Sequence, residues 1–351
     1  MKLSRIGEFG LIDRLQRHLP PAGADVVVGP GDDAAAVRTA AGVLTLLTAD
    51  VLVEHVHFDR GIHGFEDVGW RAMAANISDI AAMGGQPGHA LVSICLPDDV
   101  TVEQVEQIYR GMAALAGEYG CDIIGGDTVA SPRDMVVSIA LTGEVAEEHM
   151  VTRGGAREGD LIAVTGRLGG SRAGLAMLQS LQQEAQDPGK APPPAERWDR
   201  IRRRHLRPRP RLRAARGLAR SGCVHAMIDV SDGLAGDLRH IADRSGVGAE
   251  IDLEKIPIDD QTRWAAEHLG ASALDYALSG GEDYELLFTV ATDAAPEVLQ
   301  RAAAEEDLTV TLIGRIRPRE EGMILRGPGG EKKVLTQRGF RHFSSEQGTI
   351  F

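Results

Sequence analysis

The chain has 351 residues, enough for two domains of ordinary size, each with its own core. With 43% hydrophobic and 25% charged residues it is globular in composition, and no apolar run approaches the roughly 20 residues that cross a bilayer. The three cysteines, Cys95, Cys121 and Cys223, are odd in number and widely spaced, which argues against a disulfide framework and a cysteine zinc site. The N-terminus mixes charge with hydrophobes and lacks the apolar stretch of a signal peptide, so a soluble, cytoplasmic protein is expected.

In chain order, a short helical start is followed by VVVGPGDDAAAV, a strand, a Gly/Pro turn and a second strand. VLTLLTADVLVEHVHF reads as a strand, with His55 and His57 sharing one face. Residues 66–84 carry apolar side chains at helical spacing and stop at Gly84 and Gly85. HALVSICLP is a buried strand, and TVEQVEQIYRGMAALAGEYG an amphipathic helix with Thr101 as N-cap and Gly120 as terminator. CDIIGGDT and MVVSIALTGEV complete an α+β domain over residues 1–150. A second domain over 151–351 follows. It runs through the strand DLIAVTG, a glycine-rich turn from Thr165 to Ser171, a helix over 172–184 and a Pro-rich stretch within 182–197 read as an exposed loop. HAMIDVSDGL then reads as strand, turn and helix, and AEIDLEKIPI, ELLFTVA and LTVTLIGRI as strands.

Charge is unevenly distributed. The 38 Lys and Arg against 51 Asp and Glu leave −13, yet Arg197–Arg220 holds eleven arginines and one acid, two helices broken at Pro208 and Pro210. An anion or RNA patch would fit. A face that neutralises neighbouring acids fits better, because no aromatics interleave for base stacking; nucleic acid is not an expected partner.

Aspartate recurs in turns, as Gly31-Asp32-Asp33, Thr48-Ala49-Asp50, Gly126-Asp127 and Asp229-Val230-Ser231-Asp232-Gly233, with an acidic Gly280–Glu285 turn besides, while Asp79 of Asn76-Ile77-Ser78-Asp79 sits within the apolar helix face. Any one of them is ordinarily a turn former or cap. Clustered together they would repel unless cations lay among them, and oxygen-only ligands point to several Mg²⁺ ions and hence to a polyphosphate substrate. The usual nucleotide motifs are missing: Gly189-Lys190 is followed by Ala191, which excludes a P-loop, and no kinase HRD or DFG set occurs. The Thr165–Ser171 turn could cradle a phosphate, though a plain tight turn explains it equally well.

The stretches GPGDDAAAV, TADVLVEHVHF, NISDIAAMGGQP, IIGGDT, VTRGGAREGD, HLRPRPR, IDVSDGL and SGGEDYELLFTV, in this order along nearly the whole chain, resemble the thiamine-monophosphate kinase family. That family belongs with the aminoimidazole-ribonucleotide-synthetase-like ATP-using enzymes. The resemblance implies an α+β N-terminal domain, an α/β C-terminal domain, and a homodimer in which N-terminal sheets close a β-barrel. It implies ATP and thiamine monophosphate as substrates and Mg²⁺ as cofactor. By motif, Asp33, Thr48, Asp50, Asp79, Asp127, Asp229 and Asp232 are the implied metal ligands, Asp127 and Asp232 also being catalytic. Gly126, Asp127, Arg153 and Ser231 are the implied ATP contacts, and His57, Glu282 and Phe340 the acceptor contacts. One departure is Ala49, where the family usually has a hydroxyl, so one metal contact would be lost or made by backbone. Selenophosphate synthetase and the hydrogenase-maturation relative need cysteines this chain lacks near its N-terminus and in its GTIF ending. Aminoimidazole-ribonucleotide synthetase remains the enzymatic alternative, and an RNA- or acidic-partner-binding module the non-enzymatic one.

Overall fold

Strand alternation builds the first sheet. The structure, a computed structural model, describes residues 7–19, 22–184, 195–306, 308–336 and 339. After α1 (Gly7–Gln16) come β1 (Val26–Val28), β2 (Ala35–Ala40), β3 (Val43–Val53), α2 (Phe65–Ala82), β4 (Gln86–Leu96), α3 (Val102–Tyr119), β5 (Asp122–Ala130) and β6 (Val136–Ala146). The six strands lie in the order β1-β2-β3-β6-β4-β5. On β3, Leu44, Leu46 and Leu52 are buried on the face that α2 covers, while Leu47 and Val51 point outward and are exposed. Period-2 alternation puts Thr48 and Asp50 on the inner face, and Ala49 on the outer one. The departure at Ala49 is thus on the side away from α2.

The α3 helix follows its sequence signals closely. Thr101 and Gln104 form a reciprocal capping box and Gly120 ends the helix in the left-handed region. The α2 helix also ends where expected, but it is buried on nearly every side. It packs on the first sheet and α3, and reaches across to the second domain. This position makes it the shared wall of the molecule.

The second domain contains β7 (Leu161–Thr165), α4 (Gly170–Glu184), α5 (Ala195–Leu206), α6 (Leu212–Arg220), β8 (Val224–Asp229), α7 (Leu234–Ser245), β9 (Gly248–Asp252), α8 (Asp260–His268), α9 (Ala273–Ser279), β10 (Leu286–Val290), α10 (Ala295–Glu306), β11 (Val310–Arg317), β12 (Met323–Arg326) and β13 (Lys332–Val334). Its strand order is β13-β12-β9-β11-β7-β10-β8, and every pairing is antiparallel except β9 with β12. Separate apolar clusters fill its two faces.

Two details differ from the sequence reading: β4, expected to be a buried strand, alternates buried and exposed residues, and the His55–His57 segment is a turn. The β3 strand ends at Val53, and His55 has φ of +63°, so His55 and His57 lie in a turn rather than on one strand. The β-branched run up to Val53 supports a strand, but Glu54–Phe58 folds back on itself through an isolated bridge. Part of the Pro-rich stretch, 185–194, lies outside the described residues.

The basic segment fastens the two domains together. Arg207 bonds Glu66 and Asp67 and lies over the Trp70 ring, and Arg209 bonds Glu118. The Trp70 indole N–H donates to the Pro208 carbonyl at 2.8 Å, and the Tyr119 hydroxyl to the Pro210 carbonyl at 2.8 Å. Arg211 makes a two-pronged contact with Glu285, whose side chain is 4% exposed. These arginines meet acids of the same chain, as the neutralising reading expects.

Candidate active site

Four acidic segments from both domains meet at the seam. Asp33 sits in the turn between β1 and β2, Asp79 on α2, and Asp229 at the end of β8. Carboxylate oxygens of these three lie within 4.8 Å of one another. Asp50, inward on β3, is close enough to raise the pKa of Asp79. Burial is the largest cause of that shift, with Asp50 next, and the Asp79 carboxyl is held well above its ordinary range. Burial and the neighbouring Asp33 push Asp229 up to about 7. Burial also raises Asp33, opposed by Arg153, whose Nη2 is 2.6 Å from Asp33 Oδ1.

Polar neighbours aim these acids. Thr48 donates its hydroxyl to Asp79, and Ser78 donates to Asp229 Oδ2 at 2.7 Å. Asn76, fully buried, accepts from the Asp50 N–H and donates to the Ala72 carbonyl. Asp33 Oδ2 and Asp229 Oδ1 are buried with no hydrogen-bond partner. Two orphaned carboxylate oxygens among hard oxygen donors fit a divalent cation of the Mg²⁺ type, since a buried acceptor without a donor is costly.

The Asp229–Gly233 and Gly280–Glu285 turns are zipped to each other. The N–H groups of Glu282 and Tyr284 donate to the Ser231 and Val230 carbonyls at 2.7 and 3.0 Å, and the Val230 N–H to the Glu285 carbonyl at 2.8 Å. These bonds hold Glu282 and Tyr284 at φ of +57° and +50°, a region costly for side-chain-bearing residues. Gly281 is required there, because a Cβ would lie 2.2 Å from the Ser231 carbonyl oxygen. Asp237, one turn into α7, accepts from the N–H groups of Asp232 and Gly233 at 3.2 and 3.0 Å. Burial and the adjacent Asp232 hold its carboxyl well above the usual range.

The acceptor-side residues are joined by one buried arginine. Arg71, 2% exposed, bonds the Glu282 carboxylate and donates through Nη1 to the His57 carbonyl at 2.9 Å. His57 Nδ1 accepts from the Val53 N–H at 3.0 Å, which places its proton on Nε2. Phe340 lies outside the described residues.

Asp127 stands apart from this cluster. It is exposed on the edge strand β5, paired with Ser93 of β4, and that register puts it on the outer face of the sheet. Its Oδ1 accepts from the Thr128 N–H at 2.9 Å. A Cβ at neighbouring Gly126 would lie 1.7 Å from the Val92 carbonyl oxygen, so this position admits only glycine.

The glycine-rich Thr165–Ser171 turn holds an internal anion. Asp283 accepts from the Gly169 and Ser171 N–H groups at 2.6 and 3.0 Å, occupying the start of α4 where a phosphate would dock. Reading the sequence also missed Arg71, Asn76, Ser78 as a partner of Asp229, Asp237, and Asp32, which accepts from the Arg153 N–H at 3.2 Å. Only the position of Asp237, in the first turn after Asp232-Gly233, offered a local signal.

Known proteins match this architecture throughout. Family profiles for the AIR synthase related protein match over 31–145 (N-terminal domain) and 157–325 (C-terminal domain). Thiamine-monophosphate kinase of Aquifex aeolicus is 38% identical over 98% of this chain and 100% of that protein. The Bacillus subtilis one is 37% identical, covering 91% and 94%. A solved structure described as AaThiL complexed with AMPPCP and TMP superposes with a TM-score of 0.81 at 36% identity, covering 97% of this chain and 99% of that one. The hydrogenase maturation protein HypE in complex with ATP, at 20% identity and TM-score 0.66, shares the fold. With relatives matched end to end and the acidic turns gathered at one seam, this chain belongs to the thiamine-monophosphate kinase family.

Proposed function

We propose that the seam transfers the terminal phosphoryl group of ATP directly to the phosphate of thiamine monophosphate, giving ADP and thiamine diphosphate. The observation that carries this reading is the convergence of Asp33, Asp79 and Asp229 within 4.8 Å, two of them with orphaned buried oxygens. Four clustered carboxylates, two of them buried, would repel a nucleotide, so positive charge must be supplied to the site. Asp33, Asp50, Asp79 and Asp229, with Asp232 beside them and Thr48 orienting Asp79, would hold Mg²⁺. Bound there, Mg²⁺ would neutralise phosphate charge. Gly126, Asp127, Arg153 and Ser231 are the nucleotide contacts in this reading and His57 and Glu282 acceptor contacts, with Phe340 assigned to the acceptor by motif alone.

The acceptor phosphate has a second pKa near 6 and is already ionised at neutral pH, so its attack needs no general base. The chain's contribution is to orient two polyanions and exclude water. We further assign a homodimer, with residues 1–150 as the pairing and nucleotide-binding domain and 151–351 completing the site. Leu47, Val51, Leu91, Ile124 and Val129 leave an apolar face exposed on the first sheet, which a second sheet would cover.

A coupled assay for ADP and thiamine diphosphate from ATP and thiamine monophosphate tests the reaction. Absence of thiamine diphosphate with folded, Mg²⁺-supplied enzyme would overturn the assignment. Protein-bound label after incubation with γ-labelled ATP, chased into product by acceptor, would overturn direct transfer.

A further inference from the structure

A chain of buried groups behind the acceptor side has no role in the reading above. His63, in the turn after β3, and His205, on α5, are 2% and 1% exposed, and their Nε2 atoms are 2.9 Å apart across the seam. His205 Nδ1 lies 3.0 Å from Ser171 Oγ and 3.5 Å from Glu282 Oε2. His63 Nδ1 lies 3.1 Å from both the N–H and the carbonyl oxygen of Asp59. The charged groups around the pair are Arg71, Arg172 and Glu282. Burial and Arg71 hold both imidazoles neutral, His63 being pushed down to about 3.

Two neutral imidazoles sharing one Nε2–Nε2 bond have only two arrangements. In one, His63 donates to the Asp59 carbonyl, His205 donates to His63, and His205 Nδ1 presents a lone pair to Glu282. An ionised carboxylate only accepts, so that arrangement sets two acceptors face to face. In the other, the Asp59 N–H donates to His63 Nδ1, His63 Nε2–H donates to His205, and His205 Nδ1–H points at Ser171 and Glu282. Glu282 therefore selects the second arrangement, and the directed chain in turn holds Glu282.

We propose that His205, oriented by His63 across the seam, is a positioning residue that fixes Glu282 for the acceptor substrate. The proposal rests on the reading that Glu282 contacts thiamine monophosphate. It couples acceptor binding to domain contact, because His63 belongs to the first domain and His205, Ser171 and Glu282 to the second. Arg71 grips the other oxygen of the same carboxylate, so losing His205 leaves Glu282 in place but free to swing.

Steady-state kinetics on the full chain test it, with melting temperature and circular dichroism recorded alongside. Asn carries its amide where His Nδ1 sits, and Gln where Nε2 sits. His205→Gln is expected to raise KM for thiamine monophosphate about tenfold and leave KM for ATP within about twofold, as loss of the Nδ1–H that faces the Glu282 carboxylate at 3.5 Å implies. His205→Asn should recover most of that loss. His63→Gln, still able to donate to His205, should leave the acceptor KM near wild type, and His63→Leu should raise it. Calorimetric affinity for thiamine monophosphate in the presence of a non-hydrolysable ATP analogue should follow the same ranking. Equal effects of His205→Gln and His205→Asn, parallel shifts in both KM values, or melting losses without any acceptor-specific change would overturn the proposal. If wild-type enzyme does not phosphorylate thiamine monophosphate, the functional reading fails instead.

Discussion

Ser78 on α2 donates its hydroxyl to Asp229 at the end of β8, 2.7 Å away, in a contact buried from solvent on both sides. The bond spans 151 residues of sequence and ties the helix beneath the first sheet to the strand of the second domain that carries Asp229 into the cluster. It satisfies one oxygen of Asp229 and leaves the other without a partner. The acid is thus oriented by the protein and incomplete without a further ligand.

That incompleteness separates Asp229, a proposed metal ligand, from Asp127, a proposed nucleotide contact on the outer face of the first sheet. Asp229→Asn should lower turnover on the order of 10²-fold and raise the melting temperature of the metal-free protein at pH 8, because a buried charge is removed while Ser78 keeps its acceptor. Asp127→Asn should lower turnover comparably with no change in melting temperature, since Asp127 is exposed on an edge strand. Thermal melts beside the coupled assay check both. A stabilised Asp127→Asn or a destabilised Asp229→Asn would contradict the placement.

Metal and pH should act together. Asp229 rises from 3.8 to about 7 on folding, and Asp33 and Asp79 also rise. Between these values the folded chain keeps protons that the unfolded chain has lost, so the contribution of these acids to metal-free stability is fully present below about pH 4 and declines as pH climbs to 7. Mg²⁺ should reverse the decline, raising the melting temperature more at pH 8 than at pH 5 and releasing protons on binding. Scanning fluorimetry with EDTA or Mg²⁺ at several pH values measures this; equal increments at pH 5 and 8 would refute it.

Arg211 on the strap should matter to stability rather than to chemistry. Replacing it by Met strands Glu285, whose remaining side-chain partner is the Thr165 hydroxyl at 2.7 Å, and is expected to cost about 3 kcal/mol. Urea denaturation reads the loss. Adding Glu285→Gln to Arg211→Met should recover more than half of it, since the buried charge then disappears.

The assembly prediction is direct. Sedimentation at micromolar concentration should give twice the 37.5 kDa chain mass, and Leu91→Asp, on the outer face, should return the monomer. A wild-type monomer would overturn the proposed pairing.

What the sequence disclosed depended on how local each signal was. Thr101, Gln104 and Gly120 bracket α3 within its own residues, and period-2 alternation alone puts Thr48 and Asp50 on one face and Ala49 on the other. Motif order carried the family. Partners distant in the chain were invisible. Nothing around Arg71 announces Glu282, and nothing around Gly169 announces Asp283, because each pairing exists only once two turns are folded against each other. His55 and His57 were misplaced because β-propensity does not register the reversal after Val53. Asp127 was grouped with the other aspartates on motif, whereas its register beside Ser93 turns it to the opposite face.

The carboxylate of Asp283 at the head of α4 has a wider consequence. Many nucleotide-binding proteins receive phosphate oxygens on the free amides of a helix start, so their nucleotide is held by neutral dipoles even in the absence of metal. Here those amides already serve a resident side chain, and desolvation raises its pKa to about 7 without vacating the spot. In the proposed reaction the triphosphate would therefore depend more heavily on cations. Nucleotide affinity should consequently follow free Mg²⁺ concentration steeply, making this kinase sensitive to the balance between ATP and the magnesium available to accompany it.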